Sequence, residues 1–127
     1  MKSQSSIEFI VIVGAVLLIF ITTIGFLQKS ISEKKIEKRN FEFQEFAQNI
    51  QNEINIASKA TDGYQRTFSI PEKIEGMGFQ IRLIEESVYL NSSQAKYAIS
   101  LPVTNVTGQL QEGSNTIKKI NRTIYLN

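Results

Sequence analysis

The spacing of apolar side chains changes character twice along the chain. From Phe9 to Leu27 no residue is charged, and Thr22 and Thr23 are the only polar interruptions. As a helix this run covers about 28 Å at 1.5 Å per residue, close to the ~30 Å hydrocarbon core of a bilayer. From Gln28 to about Ala60 there is neither Pro nor Gly. Phe43, Phe46, Ala47, Ile50, Ile54 and Ala57 recur at the spacing of one helical face, with Gln44, Gln48, Gln51 and Asn55 placed opposite. This predicts that the first helix continues as an amphipathic one and covers a core. Between the two parts, KSISEKKIEKRN is polar nearly all round, with Lys38 and Glu42 at i, i+4 and Phe41 out of register with the stripe.

Asp62-Gly63 ends the helical pattern, and the period becomes two. Tyr64, Arg66, Phe68 and Ile70 alternate with polar residues before Pro71, and Phe79, Ile81 and Leu83 repeat the alternation after Gly76-Met77-Gly78. Ser87–Leu90 and Ala95–Leu101 read as a hairpin joined by Asn91-Ser92-Ser93-Gln94. Ile117–Ile120 and Thr123–Leu126 read as a second, turning on Asn121-Arg122, and Gly113-Ser114-Asn115 reads as a further turn. The expected fold class is α+β: one long N-terminal helix packed on a small antiparallel sheet of four to six short strands. The expected organisation is a hydrophobic helix over 4–28, an amphipathic continuation over 29–60 and a β head over 61–127.

Composition narrows the chemistry. Fourteen Lys and Arg balance twelve Asp and Glu. No like-charge block exceeds a pair, so no nucleic-acid partner is expected. There is no Cys and no His. That removes disulfides, thiolate and imidazole metal ligands and the commonest general base at neutral pH. Glu72/Glu75 and Glu85-Glu86 lack a catalytic frame, so no enzyme activity, cofactor or metal is expected.

The apolar run is longer than the 7–15 residues of a secretory signal, and no A-x-A-like site follows it. It therefore reads as a retained membrane segment. At its head stands an acid, Glu8. Ser5-x-x-Glu8 fits a capping box, and a carboxylate in a first turn suits the helix dipole. A carboxylate that enters hydrocarbon otherwise costs about 2.5–3.5 kcal/mol on insertion scales.

Gln4-Ser5-Ser6-Ile7-Glu8-Phe9, leading into an apolar stretch, resembles the class III (Q-x-S-x-E-F) signal peptide of archaeal type IV pilin-like proteins. The resemblance covers roughly the first 28 residues. It implies a leader over residues 1–3 and cleavage by a prepilin peptidase between Ser3 and Gln4, with Ser3 standing where the family often has Gly. Glu8 and Phe9 are then the residues implied for subunit assembly. The implied partners are other copies in a filament, the prepilin peptidase, the pilus assembly machinery and the membrane. The implied location is the membrane before assembly and the cell surface afterwards. Cleavage there would create an α-amine four residues before Glu8, on the same helical face. The Lys and Arg that follow the apolar run, read alone, would keep the C-terminal side in the cytoplasm; the resemblance places it outside. The alternative expectation is an anchored exterior binding or accessory domain that does not polymerise. Three sequons, at Asn91, Asn105 and Asn121, fall in the strand region. All three are glycosylation candidates: Asn91 and Asn121, expected on turn tips, are favoured, and Asn105, expected within a strand, less so.

Overall fold

The computed structural model describes residues 2–127, so the part of the expected leader that falls on Met1 lies outside the described residues. A single helix, α1, runs from Lys2 to Lys59. Contacts divide the chain into two compact units, Met1–Lys38 and Arg39–Asn127. The second unit is the head, and it includes the last third of α1.

Five α1 residues, Phe43, Ala47, Ile50, Ile54 and Ala57, are buried. They fall on the stripe expected from the 3.6-residue period. Phe46 is half-buried and sets its ring edge-on to Phe79, with centroids 5.4 Å apart. Phe43 meets Phe79 edge-on at 6.2 Å and stacks on Tyr97 at 5.7 Å. Such pairs add about 0.5–1.5 kcal/mol each beyond the area they bury. Burial pushes the Tyr97 phenol above its ordinary pKa.

Nine strands follow: β1 (Gln65–Ile70), β2 (Lys73–Ile74), β3 (Met77–Gly78), β4 (Gln80–Ile84), β5 (Ser87–Ser92), β6 (Tyr97–Pro102), β7 (Val106–Thr107), β8 (Gly113–Ile120) and β9 (Thr123–Leu126). They form three sheets where one was expected: a four-stranded sheet ordered β1-β8-β9-β7, an antiparallel meander β4-β5-β6, and a β2-β3 hairpin. The pairing of β7 with β9 is parallel, the others antiparallel. The extra strands are two-residue segments, too short to show a period. The meander buries Ile81 opposite Leu90 and Leu83 opposite Val88. The larger sheet contributes Ile70, Ile117, Ile124 and Leu126 to the same core as the helix stripe.

Three expected turns move. The β5–β6 turn lies over 93–96, because β5 continues through Asn91 and Ser92. Of Gly76-Met77-Gly78, the last two residues form β3, and the reversal lies at Glu75-Gly76, where both residues have positive φ. Gly113-Ser114-Asn115 opens β8 rather than turning, and Asn115 is fully buried. Its amide uses its whole hydrogen-bonding capacity. Oδ1 accepts from the Gln111 N–H at 2.9 Å and from Asn127 Nδ2 at 3.1 Å, while Nδ2 donates to the carbonyls of Gln111 and Gly113. The Asn121-Arg122 turn stands as expected. Its φ values of 49° and 65° are those of a type I′ hairpin turn, and the Arg122 N–H donates to Asp62 Oδ1 at 2.8 Å.

The C-terminus of α1 is held by the sheet. Lys119 Nζ donates to the carbonyls of Ser58 and Ala60 at 2.6 and 2.7 Å, where the helix has acceptors without partners. The Lys119 backbone pairs with Gly63 and Tyr64, which prolongs the β1–β8 ladder up to the helix end. Gln51, expected on the solvent side of α1, instead donates from Nε2 to the Pro102 carbonyl at 2.7 Å. Glu53 receives Arg66 of β1 at 3.3 Å. Gly108 (φ 116°) lies so close to β9 that a Cβ there would fall 2.2 Å from the Leu126 carbonyl oxygen.

Two substitutions test these fixings by urea unfolding of the full chain in detergent. Lys119→Met removes two charge-assisted hydrogen bonds and is expected to cost about 1.5–3 kcal/mol. Gly108→Ala is expected to cost about 1–3 kcal/mol, because backbone rather than a flexible side chain must move. An unchanged midpoint for either variant would contradict its assigned role.

Candidate functional site

The feature that sets this chain apart is the first half of α1. Across Ile7 to Leu27, the large apolar side chains are exposed on every side: Phe9 is 68% exposed, Leu18 65%, Phe20 63% and Phe26 73%. An 18-residue window in this helix reaches a mean hydropathy of 2.9, and none of it is buried within the chain. By length and composition this is a helix able to cross a membrane. A core helix of similar composition would be buried by its own fold; here the head closes its core with the later stripe alone.

The helix passes Thr22, Thr23 and Gly25 without a break. Each hydroxyl is satisfied internally. Thr22 Oγ1 donates to the Leu18 and Ile19 carbonyls at 3.0 and 2.9 Å, and Thr23 Oγ1 to Ile19 at 2.7 Å. The two threonines therefore present no unpaired donor to hydrocarbon.

Ser3, Gln4, Glu8 and Phe9 all lie on α1 and are exposed. Because the helix starts at Lys2, Ser5 sits inside it and not at its N-cap, and Glu8 falls beyond the first turn. The capping box expected from Ser5-x-x-Glu8 is therefore not formed in this chain. Lys2-Ser3-Gln4 contains no helix breaker, and the helix already includes these residues ahead of Ser5. Gln4 and Glu8 are one helical turn apart on one face.

The sequons are placed differently from expectation. Asn121 is exposed on its type I′ turn, as anticipated. Asn105 is exposed in the loop between β6 and β7 and is not in a strand. Asn91 is on β5, the central strand of the meander, between Gln80 and Ala98, and only half-exposed. The middle residue of its sequon, Ser92, is buried, its Oγ donating to the Gly78 carbonyl at 2.7 Å.

The acid pairs do not form a site. Glu85 and Glu86 make the exposed β4–β5 turn, and Glu72 and Glu75 are exposed around β2. Among the described residues no group of three or more Asp and Glu is disposed to hold a metal. The head carries shallow surface clefts, one lined by Gly78, Phe79, Gln80, Asn91, Ser93 and Gln94 without a titratable group. Sequence reasoning missed Asn115 and Lys119, both of which act through contacts across more than one element. No protein-family model matches the chain, and no curated protein or solved structure is significantly similar to it.

Membrane crossing has a direct check. The full chain reconstituted in phosphatidylcholine vesicles is expected to leave Phe9–Leu27 intact under added protease. Leu17→Lys, which puts a charge at the centre of the run, is expected to reduce insertion by about 2.5–3.5 kcal/mol. Digestion within the run in the unaltered chain would contradict a spanning helix.

Proposed function

We propose that this protein is a structural subunit, major or minor, of an archaeal type IV pilus-like surface filament. The observation that carries the reading is the coincidence of two things on one helix. A QSSIEF motif heads it, and the large apolar side chains behind that motif are exposed, with no partner among the described residues. In this reading a prepilin peptidase removes residues 1–3 between Ser3 and Gln4. The subunit waits in the membrane through its apolar helix, and the assembly machinery transfers that helix into a filament core made of other copies. The head is displayed at the cell surface.

The chemistry assigned to Glu8 follows from cost. Its carboxylate must be neutralised on leaving water, and the new α-amine at Gln4 lies one turn away, about 6 Å along the axis. The amine of the same chain or of a neighbour completes the pair. In a low-dielectric bundle an intersubunit pair favours one register and penalises the others, since an unpaired charge there is strongly destabilising. Phe9, exposed beside Glu8, adds apolar area to the same contact.

Intact mass and N-terminal peptide mapping of protein from its native membrane or surface fraction are expected to give a chain beginning at Gln4. A chain beginning at Met1 would favour the anchored, non-polymerising domain instead. Glu8→Ala is expected to insert normally and to abolish or sharply reduce filaments in electron micrographs; normal filaments from that variant would end the role given to Glu8. Glycopeptide mapping is expected to find sugar at Asn121 and Asn105 ahead of Asn91, and occupancy confined to Asn91 would contradict the accessibility argument.

A further inference from the structure

The polar turns after the apolar run carry a second pattern. Lys34, Lys35, Lys38, Glu33 and Glu37 are all exposed. At about 100° per residue, Lys34, Lys38 and Lys35 share an arc of about 100°, while Glu33 and Glu37 lie about 40° apart on another flank, the two centres separated by about 130°. Within Glu33–Lys38 the two signs therefore keep to separate flanks, with Lys29 and Glu42 beyond either end on the flank of the opposite sign. Among the described residues the one ion pair is Arg66–Glu53, so none of these five is paired within its own chain. The i, i+4 neighbours Glu33/Glu37 and Lys34/Lys38 are like charges, and the opposite-charge neighbours Lys34/Glu37 and Lys38/Glu42 form no ion pair. Lys29, one turn before Glu33, forms no ion pair with it, and Arg39 is occupied by the Ala95 carbonyl at 3.0 Å.

We propose that the lysine flank of this segment (Lys34, Lys35, Lys38) docks on the glutamate flank (Glu33, Glu37) of a second copy of the same chain. This rests on the self-associating reading given above. Copies held by one membrane segment in one orientation are parallel, and Glu33–Lys34 and Glu37–Lys38 pairs between parallel helices require an axial offset of only about 1.5 Å. The two flanks differ, so the contact is heterologous: each copy offers one flank to the copy ahead and the other to the copy behind. Such a contact propagates, and it yields an open assembly unless rotation closes a ring. The charge pattern thereby specifies direction and stagger just outside the apolar segment, where burial of lipid-like side chains alone specifies neither.

The test has two arms. In the first, an equal mixture of unlabelled and 15N-labelled full chain in phosphatidylcholine vesicles is treated with a carbodiimide, which condenses a carboxylate with an amine and releases water. Mixed-isotope peptides joining Glu33 or Glu37 to Lys34, Lys35 or Lys38 are expected. Their absence, or mixed-isotope links confined to other residues, overturns the proposal. In the second, filaments are counted on cells making Glu33→Lys/Glu37→Lys alone, Lys34→Glu/Lys38→Glu alone, or both together. Each variant alone presents two flanks of one sign and is expected to lose filaments. Together they alternate opposite flanks and are expected to restore them, which mixing cannot do for a chain that simply misfolds. Filaments from either variant alone overturn the charge pairing and leave the filament reading standing. Mixed-isotope links in a wild-type chain that makes no filaments support the pairing and overturn the filament reading instead.

Discussion

The burial of one helical stripe, Phe43, Ala47, Ile50, Ile54 and Ala57, is what the head is built upon. Every sheet contributes apolar side chains to the core this stripe completes, from Ile70 and Ile117 in the larger sheet to Val88 and Leu90 in the meander and Ile74 in the short hairpin. No sheet here is large enough to close a core alone, and a small hairpin in water is marginal without something to pack on. The helix supplies that surface. In return the sheet terminates the helix: Lys119 reaches its last carbonyls, and the ladder of β1 and β8 runs up to Gly63. Gln51 and Glu53 add polar ties to Pro102 and Arg66 at the edges of the stripe.

The same helix has a second half with no such partner. Transfer of a Leu, Ile or Phe side chain out of water is worth about 1.5–3 kcal/mol, and Ile7–Leu27 is made largely of them. A soluble chain that left them all in water would aggregate through them. The segment is suited to lipid or to like helices, and its two threonines are compatible with either, since their hydroxyls are bonded to the helix backbone. The head core is complete without the apolar run, so the run can change surroundings without unpacking the head.

What the sequence made legible follows from where the information is local. The apolar run, the helix stripe, the alternation of Ile81 and Leu83, and the Asn121-Arg122 turn each depend on residues within a few positions, and their periods or φ preferences show in the letters. The division into three sheets and the parallel β7–β9 pair do not, because two-residue strands carry no period and exist only where a neighbouring strand receives them. Gly113-Ser114-Asn115 has turn composition, yet Asn115 is buried where Gln111 and Asn127 complete its hydrogen bonds, and those partners are fixed only by the fold. Gln51 failed for a similar reason: a polar residue beside the stripe looked solvated until the Pro102 carbonyl arrived beside it. At the candidate site, the positions of Gln4, Glu8 and Phe9 on one helix were legible. The start of that helix was not, since nothing local to Ser5 records how far upstream the helix extends.

The contrast between Glu8 and the threonines explains why an acid at this place calls for more than a lipid. A hydroxyl in a helix can borrow the carbonyl three or four residues back, as Thr22 and Thr23 do. A carboxylate needs donors, and inside a helix the backbone N–H groups one turn back are already engaged, apart from those of the first turn. In the proposed processed chain, removal of residues 1–3 makes Gln4 the terminus and its amine a cation one turn from Glu8. Processing then places a cation one turn from the carboxylate on its own helix face. If Gln4 cyclises, that amine disappears, and the acid must find its donor on a neighbouring copy. In the proposed filament reading, the counter-charge of Glu8 comes from that cut or from a neighbouring copy.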